Sequence, residues 1–168
     1  MPFAGFPHIA FPIDTLSNDA PGQTLVRYNS DGTAFKVVRA CNNTGSACVS
    51  GQPYLLRYDG DEETNPGVID PATATTAINY VVFATAATAN GAFGWFTCFG
   101  YMDVLIDGTT NVAKDDYLEV VNGGTSLIKD AAALSLNSCA IACAAQETDA
   151  AVITRVFVLG ERVNVQAS

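Results

Sequence analysis

Histidine is almost absent from this chain: His8 is the only one in 168 residues. A Ser- or Cys-based triad needs an imidazole beside its nucleophile, and a lone histidine in a proline-punctuated stretch argues against that chemistry. Positive charge is nearly as scarce. Eight Lys and Arg stand against 17 Asp and Glu, a net charge of -9 with a pI near 4.2. Such a chain is repelled by phosphates, which excludes general nucleic-acid binding. Long apolar runs are missing too. The most apolar stretch, Ala77 to Ala89, carries Asn79, Thr85 and Thr88 and runs into Asn90-Gly91, whereas a membrane helix needs about 20 apolar residues. No Gly-rich phosphate loop, dinucleotide fingerprint or H-E-x-x-H occurs, so neither a cofactor nor a catalytic metal is expected.

What is present is apolar and small. Hydrophobic residues make up 49% of the chain and charged ones 15%, against about 25% charged in typical soluble domains. The surface must therefore be covered by Thr, Ser, Asn, Gly and Ala, or be buried against partners. The length suits one domain with an added arm. Five cysteines, Cys41, Cys48, Cys98, Cys139 and Cys143, form an odd set. The start has no Lys or Arg before its apolar residues and is broken by Pro2, Pro7 and Pro12, unlike a secretory signal. Together these predict thiols in a reducing cytoplasm rather than a disulfide framework.

Residues 1–24 read as an extended arm. Phe3, Phe6, Ile9, Phe11 and Ile13 are interspersed with prolines and follow no helical period. These five are the candidate contact residues, covered by the body of the domain or by a neighbour. Residues 25–76 read as a β-hairpin region with an acidic loop, and 77–168 as the main domain. Leu25 to Tyr28 and Phe35 to Ala40 flank Asn29-Ser30-Asp31-Gly32, a hairpin signal because Asp-Gly supplies positive φ. Pro53 to Tyr58, Ile78 to Thr85 and Gly94 to Ile106 are further strands. In the last, Phe96, Cys98, Met102, Val104 and Ile106 share one face, and Trp95, Phe99, Tyr101 and Leu105 the other, so both faces are expected to be covered. Tyr117 to Val121 and Ser126 to Lys129 form a hairpin across Asn122-Gly123-Gly124. Ser138 to Ala144, Val152 to Arg162 and Val163 to Val165 close the chain. The alanines after Asp130 suit a helix with Asp130 as N-cap, but the alternation of Cys139, Ile141 and Cys143 favours a strand. The stretch from Asp59 to Thr76 reads as irregular, because Pro66 and Pro71 forbid a long element. No internal repeat is visible. Short strands at this spacing predict an all-β fold, a small β-barrel or sandwich with an extended N-terminal arm.

Two clusters invite a metal reading, and each has a plainer one beside it. Cys139 and Cys143 have a zinc-like spacing but sit in an Ala-rich apolar run without turn residues, as buried thiols do. Asp59, Asp61 and Glu63 resemble the opening of a calcium loop, but Thr64 and Asp70 stand where Gly and Glu are required. A solvated hairpin tip explains Asp59 to Asn65 as well. No carboxylate pair is singled out for acid–base work.

A wider pattern emerges from Gly94-Trp95-Phe96, the turn Asp107-Gly108-Thr109-Thr110-Asn111, Val112-Ala113-Lys114-Asp115-Asp116-Tyr117-Leu118, Asn122-Gly123-Gly124-Thr125, Ser138-Cys139-Ala140-Ile141-Ala142 and Val156-Phe157-Val158-Leu159. With Ser50-Gly51-Gln52-Pro53-Tyr54 and the acidic stretch through Pro66, this combination resembles the small β-barrel decoration (cement) proteins encoded beside the major capsid protein in tailed bacteriophages. The likeness spans roughly Ser50 to Val165. It implies a structural virion protein, not an enzyme, that binds the outer capsid surface between capsomers and stabilises the head. Its implied partners are the major capsid protein and its own copies, as trimers, with no nucleic acid, membrane or cofactor. Its implied location is the virion, after assembly in the host cytoplasm. Two alternatives stand beside it. One is another virion component, such as a head fibre base, neck or tail protein. The other is a carbohydrate- or peptide-binding β module using Tyr54, Tyr58, Trp95 or Tyr101.

Overall fold

A computed structural model describes residues 22–57, 66–69, 79–108, 111–120, 125–131, 138–146 and 151–160. The fold is all-β, as the spacing predicts. Its strands are β1 (Thr24–Tyr28), β2 (Ala34–Asn42), β3 (Pro53–Arg57), β4 (Gly67–Ile69), β5 (Asn79–Ala84), β6 (Phe93–Ile106), β7 (Tyr117–Val120), β8 (Leu127–Lys129), β9 (Ser138–Ala142) and β10 (Val152–Val158). The candidate contacts Phe3, Phe6, Ile9, Phe11 and Ile13, the acidic loop and the segment after Gly160 lie outside the described residues. The Asp-Gly hairpin forms as expected: Gly32 has φ +82° and its N–H donates to the Asn29 carbonyl at 3.0 Å. One strand falls where the sequence reads as irregular. β4 is short enough to follow Pro66, whose carbonyl accepts from Cys41 N–H at 2.9 Å.

The ladders close two rings. β2, β4, β3, β5 and β6 pair in a cycle that returns to β2, and β6, β10, β9, β7 and β8 pair in a second cycle that returns to β6. Each ring has four antiparallel ladders and one short parallel seam, β2–β4 in the first and β6–β8 in the second. β6 is therefore the last strand of one ring and the first of the next. The ladders also cross the sequence division at residue 76, since β3 pairs with β5.

Each ring encloses its own core. The first holds Val38, Ala40, Cys48, Tyr54, Leu56, Val68, Val82, Ala84 and Phe96. The second holds Val104, Ile106, Val112, Leu118, Leu127, Ala140, Ala142, Val156 and Val158, together with Phe83 from β5. β5 is thus apolar on both faces, with Val82 and Ala84 in one core and Val81 and Phe83 against the other. That explains its unbroken apolar run, the signature of a strand covered on both sides. The apolar side read along β6 is divided in the same way: Phe96 and Cys98 belong to the first core, Met102, Val104 and Ile106 to the second.

The rings are repeats of one another, a feature the sequence conceals. Tyr54 pairs with Val82 as Leu118 pairs with Ala140. Ala84 pairs with Phe96 as Ala142 pairs with Val156. Val38 pairs with Phe96 as Met102 pairs with Val156. The parallel seams match as well, Asn42 with Val68 and Ile106 with Leu127. So do the isolated bridges outside the strands, Cys48 with Thr88 and Val112 with Gln146. Before the second strand of each ring stands a residue with positive φ, Gly51 at +78° and Asp115 at +71°. Their N–H groups donate to the Ala84 and Ala142 carbonyls at 2.9 and 2.8 Å. Asp115 is the one described non-glycine residue in that conformation, and the repeat supplies the reason.

Gly100 marks the passage from ring to ring. Its φ is +96°, and a Cβ there would lie 2.5 Å from the Ala34 carbonyl oxygen and 2.8 Å from Phe35 Cα. Only glycine fits that backbone approach. Gly160 repeats the arrangement against Cys98 and Phe99.

Candidate functional site

The repeat defines two equivalent rows of side chains on the outer faces of the two rings. In the first, Val37, Thr97 and Phe83 are register partners across β2, β6 and β5, and all three are fully buried. Their counterparts are Tyr101, Phe157 and Ile141, register partners across β6, β10 and β9. Here Tyr101 is exposed and the other two are half-buried. One row is fully buried, the other only in part.

The uncovered row lies in a larger apolar face. Phe157 stacks edge-on against Tyr101, with centroids 4.9 Å apart at 75°, and against Phe99 at 5.1 Å and 80°. Phe99 is 47% exposed and Ile153 68%. Across β2, which pairs Lys36 with Phe99, β1 adds Val26 at 63% and Tyr28 at 62%. The sequence reading expected Phe99 and Tyr101 to be covered, and in the isolated chain they are not. Beside Phe99, a cavity of about 470 Å³ opens toward the first core, with Val38, Leu56, Val82 and Cys98 in its wall and Lys36 and Gly160 around it.

Arg155 gathers two acids at the edge of this face. Arg155 Nε donates to Asp103 Oδ1 at 2.6 Å, and its Nη1 to Asp31 Oδ2 at 2.9 Å and Thr33 Oγ1 at 3.2 Å. The Asp103 bond raises the Arg155 pKa above its ordinary value. Hydrogen bonds from the Thr33 hydroxyl and amide, helped by Arg155, hold the Asp31 carboxyl below its own. Asn29 Nδ2 donates to the Tyr101 carbonyl at 3.0 Å. The β1–β2 turn is thereby tied to β6 and β10.

No protein-family model and no curated protein matches this chain. The exposed face is aromatic, with Arg155 ion-paired to Asp103 and Asp31 beside it. Of the aromatics proposed for a binding module, Tyr54 and Trp95 are buried at 6% and 8% exposure, Tyr58 lies outside the described residues, and Tyr101 stands on the exposed face. Phe157 was missed as a site residue. Its only sequence signal is its place between Val156 and Val158, both core residues, which puts it on the opposite side of β10. All five cysteines are thiols. Burial pushes the Cys48 thiol up to about 11, so it is protonated and inert at neutral pH. Among the described residues no group of three His, Cys, Asp or Glu side chains is placed to hold a metal.

Proposed function

We propose that this protein is a structural, non-enzymatic component of a tailed-bacteriophage virion, decorating the outer capsid surface between capsomers and stabilising the head. Its partners are the major capsid protein and its own copies, as a trimer, assembled in the host cytoplasm. The observation that carries this reading is the exposed aromatic face, with its ion-paired Arg155, on a doubly closed β scaffold. Closed rings leave few exposed strand edges, and a broad apolar face with paired charges suits burial against protein more than the enclosure of a small substrate. The resemblance of the segments between Ser50 and Val165 to capsid decoration proteins supports it from the sequence side.

The test is co-sedimentation of the purified protein with undecorated expanded phage heads. Saturable binding at fixed stoichiometry, with heads that then resist heat better, is expected. Absence of binding at micromolar protein would overturn the proposal. Labelling that places the protein at the neck, tail or fibre base would move it to another virion component. The exposure of Tyr101 and Phe99 favours one further reading, a carbohydrate- or peptide-binding module, which a glycan array and a peptide array would detect.

A further inference from the structure

We propose that Arg27 and Arg39, stacked on Trp95 and Phe93, form a docking site for an acidic segment of another protein, one that presents carboxylates at alternate positions of an extended chain. This goes beyond the capsid reading and does not require it.

The repeat supplies the first argument. Arg39 and Trp95 are register partners across β2 and β6, two residues along from Val37 and Thr97. Asp103 and Arg155 are partners across β6 and β10, two residues along from Tyr101 and Phe157. The two pairs therefore hold equivalent places on the two rings. In the second ring the arginine takes two carboxylates, Asp103 at 2.6 Å and Asp31 at 2.9 Å. In the first, Arg39 stands where Asp103 stands and Trp95 where Arg155 stands, so the place has a cation and no anion. Among the described residues Arg27 and Arg39 have neither an ion pair nor a side-chain hydrogen bond, in a chain with 17 Asp and Glu.

Stacking fixes what these guanidiniums offer. Arg27 Cζ lies 5.3 Å from the centre of the Trp95 ring, and Arg39 Cζ 4.9 Å from that of Phe93. A guanidinium over a ring turns one face to the π cloud and keeps its in-plane N–H donors for a carboxylate, which it binds through two parallel hydrogen bonds. Trp95 and Phe93 are two residues apart on β6, about 7 Å along the strand. Carboxylates on alternate residues of an extended segment have that same spacing, so one segment can meet both arginines. Both are half-buried. Burial holds the Arg27 guanidinium below its ordinary pKa, whereas the Asp103 bond raises that of Arg155. A partly desolvated cation gains more from a counter-charge than one in open water.

Charge selects among the anions that could bind. The chain carries -9, so a nucleic acid, charged along its whole length, is repelled everywhere beyond the two arginines. A second copy brings another -9 with it. A short acidic segment on a different protein brings only the few charges that the site neutralises, and the carboxylate is the group this chain itself places on Arg155.

The test uses the full-length protein without capsids. Trp95 is the only tryptophan, so its emission reports on this site. The probe is a labelled, acetylated Asp-Gly-Asp-Gly-Asp peptide, with Asn-Gly-Asn-Gly-Asn as its uncharged control. A saturable change in Trp95 emission is expected with the first and not with the second, weakened at least about tenfold by about 0.5 M NaCl. Arg27→Gln and Arg39→Gln should each weaken binding at least about tenfold. Arg39→Lys, which keeps the charge and loses the paired donors, should weaken it at least about threefold. Anisotropy of the labelled peptide gives the affinity of variants whose Trp95 emission has itself shifted. No saturable binding, or undiminished binding by the folded double variant Arg27→Gln/Arg39→Gln, would overturn the inference. So would an oligothymidylate that displaces the peptide at lower concentration than the peptide needs, which would make this a phosphate site. Self-association lost in the double variant would make the occupant a second copy and overturn it too. Peptide binding is read without heads, so this inference and the capsid proposal are decided separately.

Discussion

The two rings share a strand and a pairing scheme, yet they fill themselves differently. The first packs aromatic on aromatic, Tyr54 against Phe96 at 6.1 Å and 76°. The second has Leu118 and Val156 at those positions and Ala140 where the first has Val82. Phe83, from β5, joins the core of the second ring. Ring geometry is set by the backbone, and core volume is met by whichever side chains can reach it.

The shared strand is the place to break this comparison hardest. Gly100→Val forces a β-branched residue into positive φ and drives its side chain into Ala34 and Phe35. A loss of at least about 5 kcal/mol is expected, or no folded protein at all. Urea denaturation would measure it. Where folded protein survives, amide exchange should show both rings losing protection together, and protection lost in one ring alone would mean the rings fold independently. Next in size, Phe83→Ala and Phe96→Ala should each cost roughly 3–5 kcal/mol. Native-state exchange should open β9 and β10 first in Phe83→Ala and β2 and β3 first in Phe96→Ala. The same opening pattern in both would refute the division into two cores.

A smaller effect separates the rings by pH. The first has Cys48 where the second has Val112, and burial raises the Cys48 pKa from 9.0 to about 11. Folding therefore favours the neutral thiol, so its contribution is complete below pH 9 and fades as the pH climbs toward 11. Under reducing conditions, Cys48→Val should recover about 1–2 kcal/mol of the stability lost near pH 11. Parallel stability curves for the two proteins across that range would refute this. Smallest of all, Arg155→Met should loosen the turn from Asn29 to Thr33 and cost about 0.5–1 kcal/mol, with faster exchange at the Gly32 and Thr33 amides. Unchanged exchange there would show that the turn needs no tie to β6 and β10.

Much of the fold was legible locally. The Asp-Gly hairpin, β3, β5, β6 and the β7–β8 pair all lie within a residue or two of their expected positions, because period-two alternation and turn residues act over a few neighbours. β9 was legible despite its alanines, since Cys139 and Ile141 alternate with Ala140 and Ala142 at the strand period. β4 was not, because three residues after a proline carry too little pattern. The candidate site was half legible. Phe99 and Tyr101 were placed on the aromatic face of β6, but Phe157 and the Arg155–Asp31 pair come from distant segments.

The amino-acid sequence by itself determined that the chain is all-β, where most strands begin and end, and which residues on each are apolar. It could not disclose the repeat. Tyr54 and Leu118, or Cys48 and Val112, are equivalent through backbone register and not through side-chain identity, and register between distant strands leaves no local mark. Nor could it tell which of two equivalent rows is covered. Val37, Thr97 and Phe83 include a threonine and are fully buried, while Tyr101, Phe157 and Ile141 are wholly apolar or aromatic and are not. Burial depends on what lies over a sheet face, and only the tertiary structure puts anything there.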